Sequence, residues 1–481
     1  MRYSLRYLMD ISLGKPREES ATSPMNLKFA FRALAHRNFQ LFFAGQTISL
    51  IGTWMQQVAM AWLVYLKTES PLWLGIVGFA SQVPAFFLAP VAGVLVDHWN
   101  RHRLILATQT LAMIQAFILA GLTLGGVIEV WHILALSTFM GLINAFDMPA
   151  RQAFLSEMIG SRDDLANAIA LNSSMFNGAR LIGPALAAAI LAKTSPGFCF
   201  LLNAISFVAV LAALLAMRVT PRARHLRRPP LLKGLREGFK YAFGFPPIRA
   251  LLLQVALISM AGMFYSTLLP VYATVFATPL LGGQAGTFGF LTTAAGSGAL
   301  IGAIYLAVRK NVLGLGRWVM IAGSLCGLGM LAFSFAGNVW MAMILLAVIG
   351  FGMMVQMGAS NTMLQTIVEE DKRGRVLSLY TMAFMGMAPL GSLVAGFLAD
   401  LIDPNPTLRV AGLVCLVATG IFAMQYQRMR SLVRPIYIKM GILPEMASGV
   451  YPALAPPAPL NGQPGSLEPA AEESPVAAQP E

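Results

Sequence analysis

The chain has 481 residues, of which 57% are hydrophobic and only 11% are charged, and its mean hydropathy is +0.67. A soluble domain usually carries about 25% charged residues, so the composition excludes an ordinary soluble protein and predicts a protein with many membrane-spanning helices. The net charge of +13 is also found in nucleic-acid-binding proteins, but the distribution of the basic residues described below excludes that class.

The N-terminal segment, residues 1–38, is predicted to be cytoplasmic. Residues 1–25 are polar and basic and lack the apolar core of a signal peptide. Residues 26–37 have the pattern of a short amphipathic helix that lies on the membrane surface. Met1 and Met25 are both compatible with the start of the protein.

Twelve apolar segments follow, and each is long enough to cross a bilayer. We predict spans near 39–66, 72–96, 103–127, 130–150, 165–192, 196–217, 248–277, 284–308, 315–336, 338–367, 374–401 and 407–428. The basic stretch 218–247 separates an N-terminal six-helix bundle (39–217) from a C-terminal one (248–430). The predicted tail, 431–481, becomes rich in Pro, Ala, Gly and Glu from residue 448, which is typical of a disordered cytoplasmic tail. The predicted fold is therefore an all-α membrane protein of two six-helix repeats.

The basic residues indicate the orientation. With twelve spans both termini lie on one side, and that side carries thirty of the 34 Lys and Arg residues, against three on the other. Cytoplasmic loops carry this excess, so we predict that both termini are cytoplasmic. This asymmetry explains the net charge without nucleic acid.

A charged turn between the second and third spans contains Gly93, Asp97, Asn100, Arg101 and Arg103. Asn tolerates a positive φ better than most residues, which suits a turn. From the spacing alone, an ordinary basic loop and a functional element are equally good interpretations.

The fourth span places Asn144, Asp147 and Arg151 at i, i+3 and i+7, on one face of a helix. Two interpretations remain open. Asp147 and Arg151 form an ion pair along the helix, or Asp147 takes up protons during transport.

The fifth span contains Arg180 deep in the membrane, where a charge is costly and usually has a function. Asn177 and Pro184 lie on the same face, and Gly183-Pro184 is predicted to bend the helix. Arg180 either binds an anionic group in the cavity or locks two helices together.

Other polar residues at intermediate depth are candidates for the lining of a substrate cavity, although such residues often bond only between helices. They are Gln46, Thr53 and Gln57 in the first span, Tyr265 and Tyr272 in the seventh, and Gln356 and Asn361 in the tenth. The three cysteines (Cys199, Cys326 and Cys415) have no metal-ligand or disulfide pattern, and we expect neither a metal nor another cofactor.

The two halves are weakly similar to each other. The fifth and eleventh spans each contain a Gly/Ala-rich stretch with a proline, Pro184 and Pro389, and each follows a charged loop. A separation of about 200 residues is what duplication of a six-span unit produces. Parallel repeats with a site between them are an architecture of secondary transporters.

The motif Gly-x-Leu-x-Asp-x-x-Asn-Arg-x-Arg at 93–103 resembles the signature loop of the major facilitator superfamily. The stretches 52–56, 81–84, 147–154, 172–174 and 179–184 resemble the drug:proton antiporter branch that contains macrolide efflux proteins and the enterobactin exporter. The similarity covers about residues 26–430.

Three positions depart from that pattern. Asn100 replaces the usual Gly of the signature turn, Ser137 stands where many drug–proton antiporters have Arg, and the second-half loop 306–310 lacks the Asp. In this setting we expect Asp97 to form a conformational latch with the start of the eleventh span, near Arg373 and Arg375, where the helix dipole favours an anion.

The resemblance implies a secondary transporter of the bacterial inner membrane that exports an amphipathic small molecule, such as a drug or siderophore, by alternating access and proton antiport. We expect it to be a monomer in the lipid bilayer and not an enzyme. Two alternatives remain: a lipid or lysophospholipid transporter of the same fold, and a membrane receptor or scaffold that has lost transport.

Overall fold

Residues 31–159, 162–218, 231–309, 311–440 and 442 are described by the structure, a computed structural model, and they contain twelve long α-helices. The twelve are α1 (Arg37–Thr68), α2 (Pro71–His98), α3 (Arg101–Leu124), α4 (Val130–Met158), α5 (Arg162–Leu191), α6 (Pro196–Ala216), α7 (Pro246–Val275), α8 (Gly283–Val308), α9 (Leu315–Phe333), α10 (Val339–Ile367), α11 (Glu370–Ile402) and α12 (Pro404–Lys439). A further helix, the linker helix (Leu231–Gly244), connects α6 to α7. The all-α fold predicted from the sequence is confirmed.

Within the described residues, eleven of these helices are both long and apolar enough to cross a membrane. The remaining one, α1, is long enough but less apolar. The reason is that α1 contains Gln46 and Gln56, which are buried at 2% and 7% exposure. These amides face protein rather than lipid. With 32 residues, α1 is about 48 Å long, more than the ~30 Å hydrocarbon core.

One predicted detail at a helix end was wrong. Asn100 does not use a positive φ: its φ is −70°, and its side chain accepts a hydrogen bond from the Arg103 amide as the N-cap of α3. The positive φ values at non-glycine positions belong to Glu69 and Asp403, in the loops on the other side of the bundle.

The two ends of the chain also differ from expectation. Arg32–Ala35 form a short 3₁₀ helix instead of the end of an amphipathic α-helix, and residues 26–30 lie outside the described residues. α12 continues to Lys439, beyond the predicted limit of the bundle at residue 430. The predicted disordered tail, 431–481, is helical as far as Lys439, and residues 441 and 443–481 lie outside the described residues.

Three hydrophobic clusters show how the two halves meet. We call the side on which α1 begins and α12 ends the terminal side, and the other the opposite side. On the terminal side each half has its own cluster, one around Phe39 and Phe154 and the other around Ile248 and Val319. On the opposite side one cluster joins both halves. The halves are therefore packed together on the opposite side and have separate cores on the terminal side.

Close backbone contacts form the two seams on the opposite side. In the α2–α11 seam, Gly75 lies so near α11 that a Cβ there would be 2.6 Å from the Ser392 carbonyl oxygen and 3.0 Å from the Gly396 Cα. In the α5–α8 seam, a Cβ on Gly289 would be closer than 3.0 Å to Ala188. Only glycine allows these helices to approach so closely.

Candidate functional site

Asp147 on α4 is the charged side chain that is buried among the described residues, at 2% exposure. Its Oδ1 accepts hydrogen bonds from Thr108 Oγ1 at 2.7 Å and Gln109 Nε2 at 2.9 Å, both on α3. Its Oδ2 lies 2.7 Å from Arg151 Nε in an ion pair, although this N–H is not aligned for a hydrogen bond. The i, i+4 spacing therefore does produce an ion pair, and α3 adds two donors to it.

The pair lines a cleft within the N-terminal half. Together with the solvent at its mouth, this cleft has about 310 Å³ of empty space. It is lined by Gln46, Ser49, Leu50, Thr53, Gln109, Ala112, Met140, Ile143, Asn144, Asp147, Arg151 and Phe207. The Oε1 atoms of Gln46 and Gln109 are buried there without a hydrogen-bond partner in the described part of the chain. The cleft thus offers both acceptors and an ion pair to a polar ligand.

The repeat of the fold places a neutral pair where the N-terminal half has the charged one. α4 and α10 both have 29 residues and are identical at seven equivalent positions, including Gly141 and Gly350. In this alignment Gln356 replaces Asp147 and Ser360 replaces Arg151. Gln356 and Ser360 are both 0% exposed, and their side-chain polar atoms have no hydrogen-bond partner among the described residues.

Arg180 on α5 lies near mid-depth, about 16 Å along the helix from its end at Leu191. Its guanidinium carbon is 5.7 Å from the centroid of the Trp54 ring on α1, and Tyr265 on α7 of the other half lies at a similar depth. No described residue gives it an ion pair or a hydrogen bond. Arg180 does not pair with Asp147.

The neighbours of Arg180 have packing roles. A Cβ on Gly183 would lie 2.5 Å from the Trp54 Cβ and 2.9 Å from the Ile51 carbonyl oxygen, so Gly183 allows α5 to approach α1. Pro184 lies inside α5, which continues to Leu191. The Asn177 amide donates to the Ser173 carbonyl at 2.9 Å.

The other predicted cavity residues differ in their exposure and in their hydrogen-bond partners. Gln57 is exposed and is not part of the cleft. Tyr265 is 5% exposed. Tyr272 donates to Asn405 Oδ1 at 2.8 Å and packs against aromatic rings near the opposite side, which is a structural role. Asn361 accepts a hydrogen bond from Gln365 on its own helix.

Two of the four predicted latch residues in the first half, Arg101 and Arg103, have partners within that half. Arg101 pairs with Glu157 of α4 at 2.6 Å, with both side chains about a quarter exposed or less. The backbone of Arg103 is part of the α3 cap. The side chain of Asp97 and the surroundings of Gly93 lie outside the described residues, so the latch stays a prediction.

The latch residues of α11 also have partners within the C-terminal half. Arg373 lies 3.9 Å from Glu370 one turn away. Arg375 packs against the linker helix, where a Cβ on Gly238 would be 2.9 Å from its Cβ. The ammonium of Lys372 lies 4.6 Å from the Tyr241 ring centroid of the same linker helix. The start of α11 is therefore held by the linker helix.

A buried network of hydrogen-bonded amide side chains was not predicted from the sequence. Asn203 donates to Gln56 Oε1 at 2.7 Å, Gln56 donates to Gln115 Oε1 at 3.2 Å, and Ser206 donates to Asn203 Oδ1 at 3.1 Å. The network joins α1, α3 and α6. The available signal was polar residues at helical spacing inside an apolar segment, namely Asn203 and Ser206 at i, i+3 on α6.

The comparisons with known proteins agree on the family. A sequence model of the family described as "Transmembrane secretion effector" matches residues 29–433. The chain is 29% identical to the staphyloferrin A transporter of Staphylococcus aureus over 384 residues, which is 79% of this chain and 94% of that protein. It is 26% identical to the multidrug efflux pump Tap of Mycobacterium tuberculosis (78% and 90%) and 23% identical to macrolide efflux protein A of Streptococcus pyogenes (79% and 94%).

Solved structures show the same fold. The nucleoside transporter NupG superposes with a TM-score of 0.66 at 12% identity, covering 82% of this chain and 100% of that chain. A bacterial homologue of the lysosomal transporter Spinster gives 0.60 at 15% identity, covering 85% and 98%. The chain therefore belongs to the transmembrane secretion effector family of the major facilitator superfamily, whose members are multi-pass membrane transporters rather than enzymes.

Proposed function

We propose that this protein exports an amphipathic small molecule in exchange for protons. The observation that carries the proposal is Asp147, a buried carboxylate in the wall of a cleft, ion-paired with Arg151 and bonded to α3. A buried ionisable residue inside a spanning helix usually marks the path of an ion or substrate. No other acidic side chain is buried in the described part of the chain.

Proton uptake at Asp147 would change the charge of the cleft in a defined way. A protonated carboxyl has lost its Coulomb attraction to Arg151, so the i, i+4 pair opens and the guanidinium becomes available inside the cleft. Removing one partner of a buried ion pair is strongly destabilising. Protonation and the conformation of the cleft are therefore coupled, which is what antiport requires.

Alternating access would use the arrangement of the two halves. Their cores are joined on the opposite side and separate on the terminal side, so a rocking motion would exchange the open and closed sides. The excess of basic residues favours a cytoplasmic terminal side in the bacterial inner membrane. In that orientation this conformation takes its substrate from the cytoplasm. The relatives named as a multidrug efflux pump and as a macrolide efflux protein support export.

Reconstituted proteoliposomes test the coupling. A macrolide and a staphyloferrin-type siderophore are applied across an imposed pH gradient, and internal pH and substrate flux are recorded together. We expect substrate-dependent proton movement in the unmodified protein and its loss in Asp147→Asn. The matched control is Glu157→Gln, which neutralises a carboxylate that pairs with Arg101 at the end of the same helix.

Normal transport by Asp147→Asn with unchanged pH dependence would show that Asp147 is not the proton carrier. Substrate movement without proton movement in the unmodified protein would favour a lipid-type transporter of the same fold. Absence of any flux would favour a receptor or scaffold.

A further inference from the structure

Arg180 differs from the other charged residues of the bundle. Away from the helix ends, the described part of the chain has three charged side chains at depth: Asp147, Arg151 and Arg180. The first two neutralise each other at 2.7 Å. The positive charge of Arg180 is left over, because no described residue gives it an ion pair. The space between the two halves therefore carries a net positive charge.

The guanidinium of Arg180 is held in a geometry that leaves its donors free. Its central carbon lies over the Trp54 ring, 5.7 Å from the ring centroid, within range of a cation–π contact, and no described residue accepts a hydrogen bond from its N–H groups. The N–H groups project from the edge, in the fork that matches a carboxylate. Trp54 is itself positioned by an edge contact with Phe176, with ring centroids 5.6 Å apart.

A second donor comes from the other half of the protein. Tyr265 on α7 lies ten residues before the end of its helix at Val275, a depth similar to that of Arg180, which lies eleven residues before the end of α5. No described residue forms a hydrogen bond with the Tyr265 hydroxyl. On α8, a Cβ on Gly296 would lie 3.4 Å from the Arg180 carbonyl oxygen, so the halves are in contact at this depth. Arg180 therefore lies at the depth where the two halves come into contact.

We propose that Arg180, Trp54 and Tyr265 form a binding site for the carboxylate of an anionic amphipath. This inference rests on the proposed function and names its substrate class: organic anions such as carboxylate siderophores, rather than lipophilic cations. The bound carboxylate accepts hydrogen bonds from Arg180 of one half and Tyr265 of the other. Binding is therefore sensitive to the relative position of the halves.

Two dyes that share one ring system but carry opposite charge provide the test. Fluorescein (anionic) and rhodamine 123 (cationic) are titrated against the purified full-length protein, and binding is followed by fluorescence anisotropy. We expect at least tenfold tighter binding of fluorescein, a loss of about tenfold in Arg180→Gln, partial retention in Arg180→Lys, and a reversed order in Arg180→Glu.

The matched control is Arg409→Gln, because Arg409 also lies over an aromatic ring, 4.2 Å from the Phe335 centroid, but near the opposite side. It should leave both affinities unchanged. Tighter binding of rhodamine 123, an unchanged dye ratio in Arg180→Glu, or no binding of either dye would overturn the assignment.

A second measurement does not depend on the fold of an Arg180 variant. Asn177→Cys places a thiol one helical turn from Arg180, and the three natural cysteines are buried. A negatively charged methanethiosulfonate should modify this thiol about tenfold faster than a positively charged one of similar size. Equal rates would refute the positive site. Proton-linked export that persists while these results fail would reject the anion site alone, whereas anion binding without proton-linked export would reject the proposed transport activity.

Discussion

Replacing Gly75 with alanine should shift the transporter away from the conformation described here. Gly75 belongs to the α2–α11 seam, where an added Cβ would lie 2.6 Å from the Ser392 carbonyl oxygen and 3.0 Å from the Gly396 Cα. To reach an ordinary contact of 3.4 Å, the two helices must separate by about 0.8 Å at this point. The contacted atoms are backbone, so no side-chain rotation relieves the clash.

The size of the effect follows from overpacking. Inserting a methyl group into a well-packed interface costs about 1–3 kcal/mol. The cost applies to the state in which the opposite side is closed and disappears when α2 and α11 separate there. A difference of this size changes the ratio of the two states by about 5- to 150-fold, which is large enough to populate the alternative state.

The change is measurable with spin labels on the opposite side. Val127→Cys in the α3–α4 loop and Gly337→Cys in the α9–α10 loop are exposed and belong to different halves, while the natural cysteines are buried. Pulsed electron resonance should show a longer distance in Gly75→Ala. The control is Gly121→Ala, where the added Cβ meets nothing within 4 Å. An unchanged distance distribution in Gly75→Ala would refute the assignment of this seam as the closed gate.

Three further outcomes are expected. Gln356→Met should unfold at the same or a higher temperature in detergent, because it removes a buried amide that has no hydrogen-bond partner among the described residues. Gln56→Met should lower the unfolding temperature, because it leaves two partners unsatisfied at about 1–3 kcal/mol each. Equal temperature shifts in the two variants would contradict this reasoning. Asn100→Ala should lose about 1 kcal/mol of stability with the α3 cap, and Asn100→Gly only a few tenths, again measured by thermal unfolding. Asp97→Asn should slow transport while substrate affinity is retained, and a large loss of affinity with normal turnover would count against the latch.

The fold was predictable because lipid imposes a simple rule on sequence. A segment that crosses a bilayer must satisfy its backbone internally and present apolar side chains, so helix positions are visible as apolar runs. α4 and α6 begin at the predicted residues, 130 and 196. The departure is α12, which continues to Lys439 through a stretch of arginines that no lipid constraint governs.

The site was predictable only in part, because its partners come from other helices. The i, i+4 spacing of Asp147 and Arg151 gave their pairing, but nothing local to α4 indicates Thr108 and Gln109 as donors to Asp147. In the same way, adjacent amides on α1 have different environments: Gln56 is buried in a network and Gln57 is exposed. A helix face can be read from sequence, but the depth of its burial depends on the bundle around it.

The repeat makes the asymmetry of charge informative. Asp147 and Arg151 on α4 and Gln356 and Ser360 on α10 occupy equivalent positions, and all of them are buried except Arg151, which is half-buried. If both pairs served only to pack the helices, an ion pair on α10 would serve as well as the neutral pair that is found there. Placing the ion pair in one half confines the proton-dependent change to that half, while the equivalent position in the other stays neutral through the cycle. Exchanging the two, with Gln356→Asp and Ser360→Arg added to Asp147→Gln and Arg151→Ser, should restore proton-linked flux if position in the repeat is sufficient. In this variant the α3 donors Thr108 and Gln109 remain in the N-terminal half, away from the transferred carboxylate. If the variant folds but proton-linked flux is not restored, those donors are as necessary as the carboxylate.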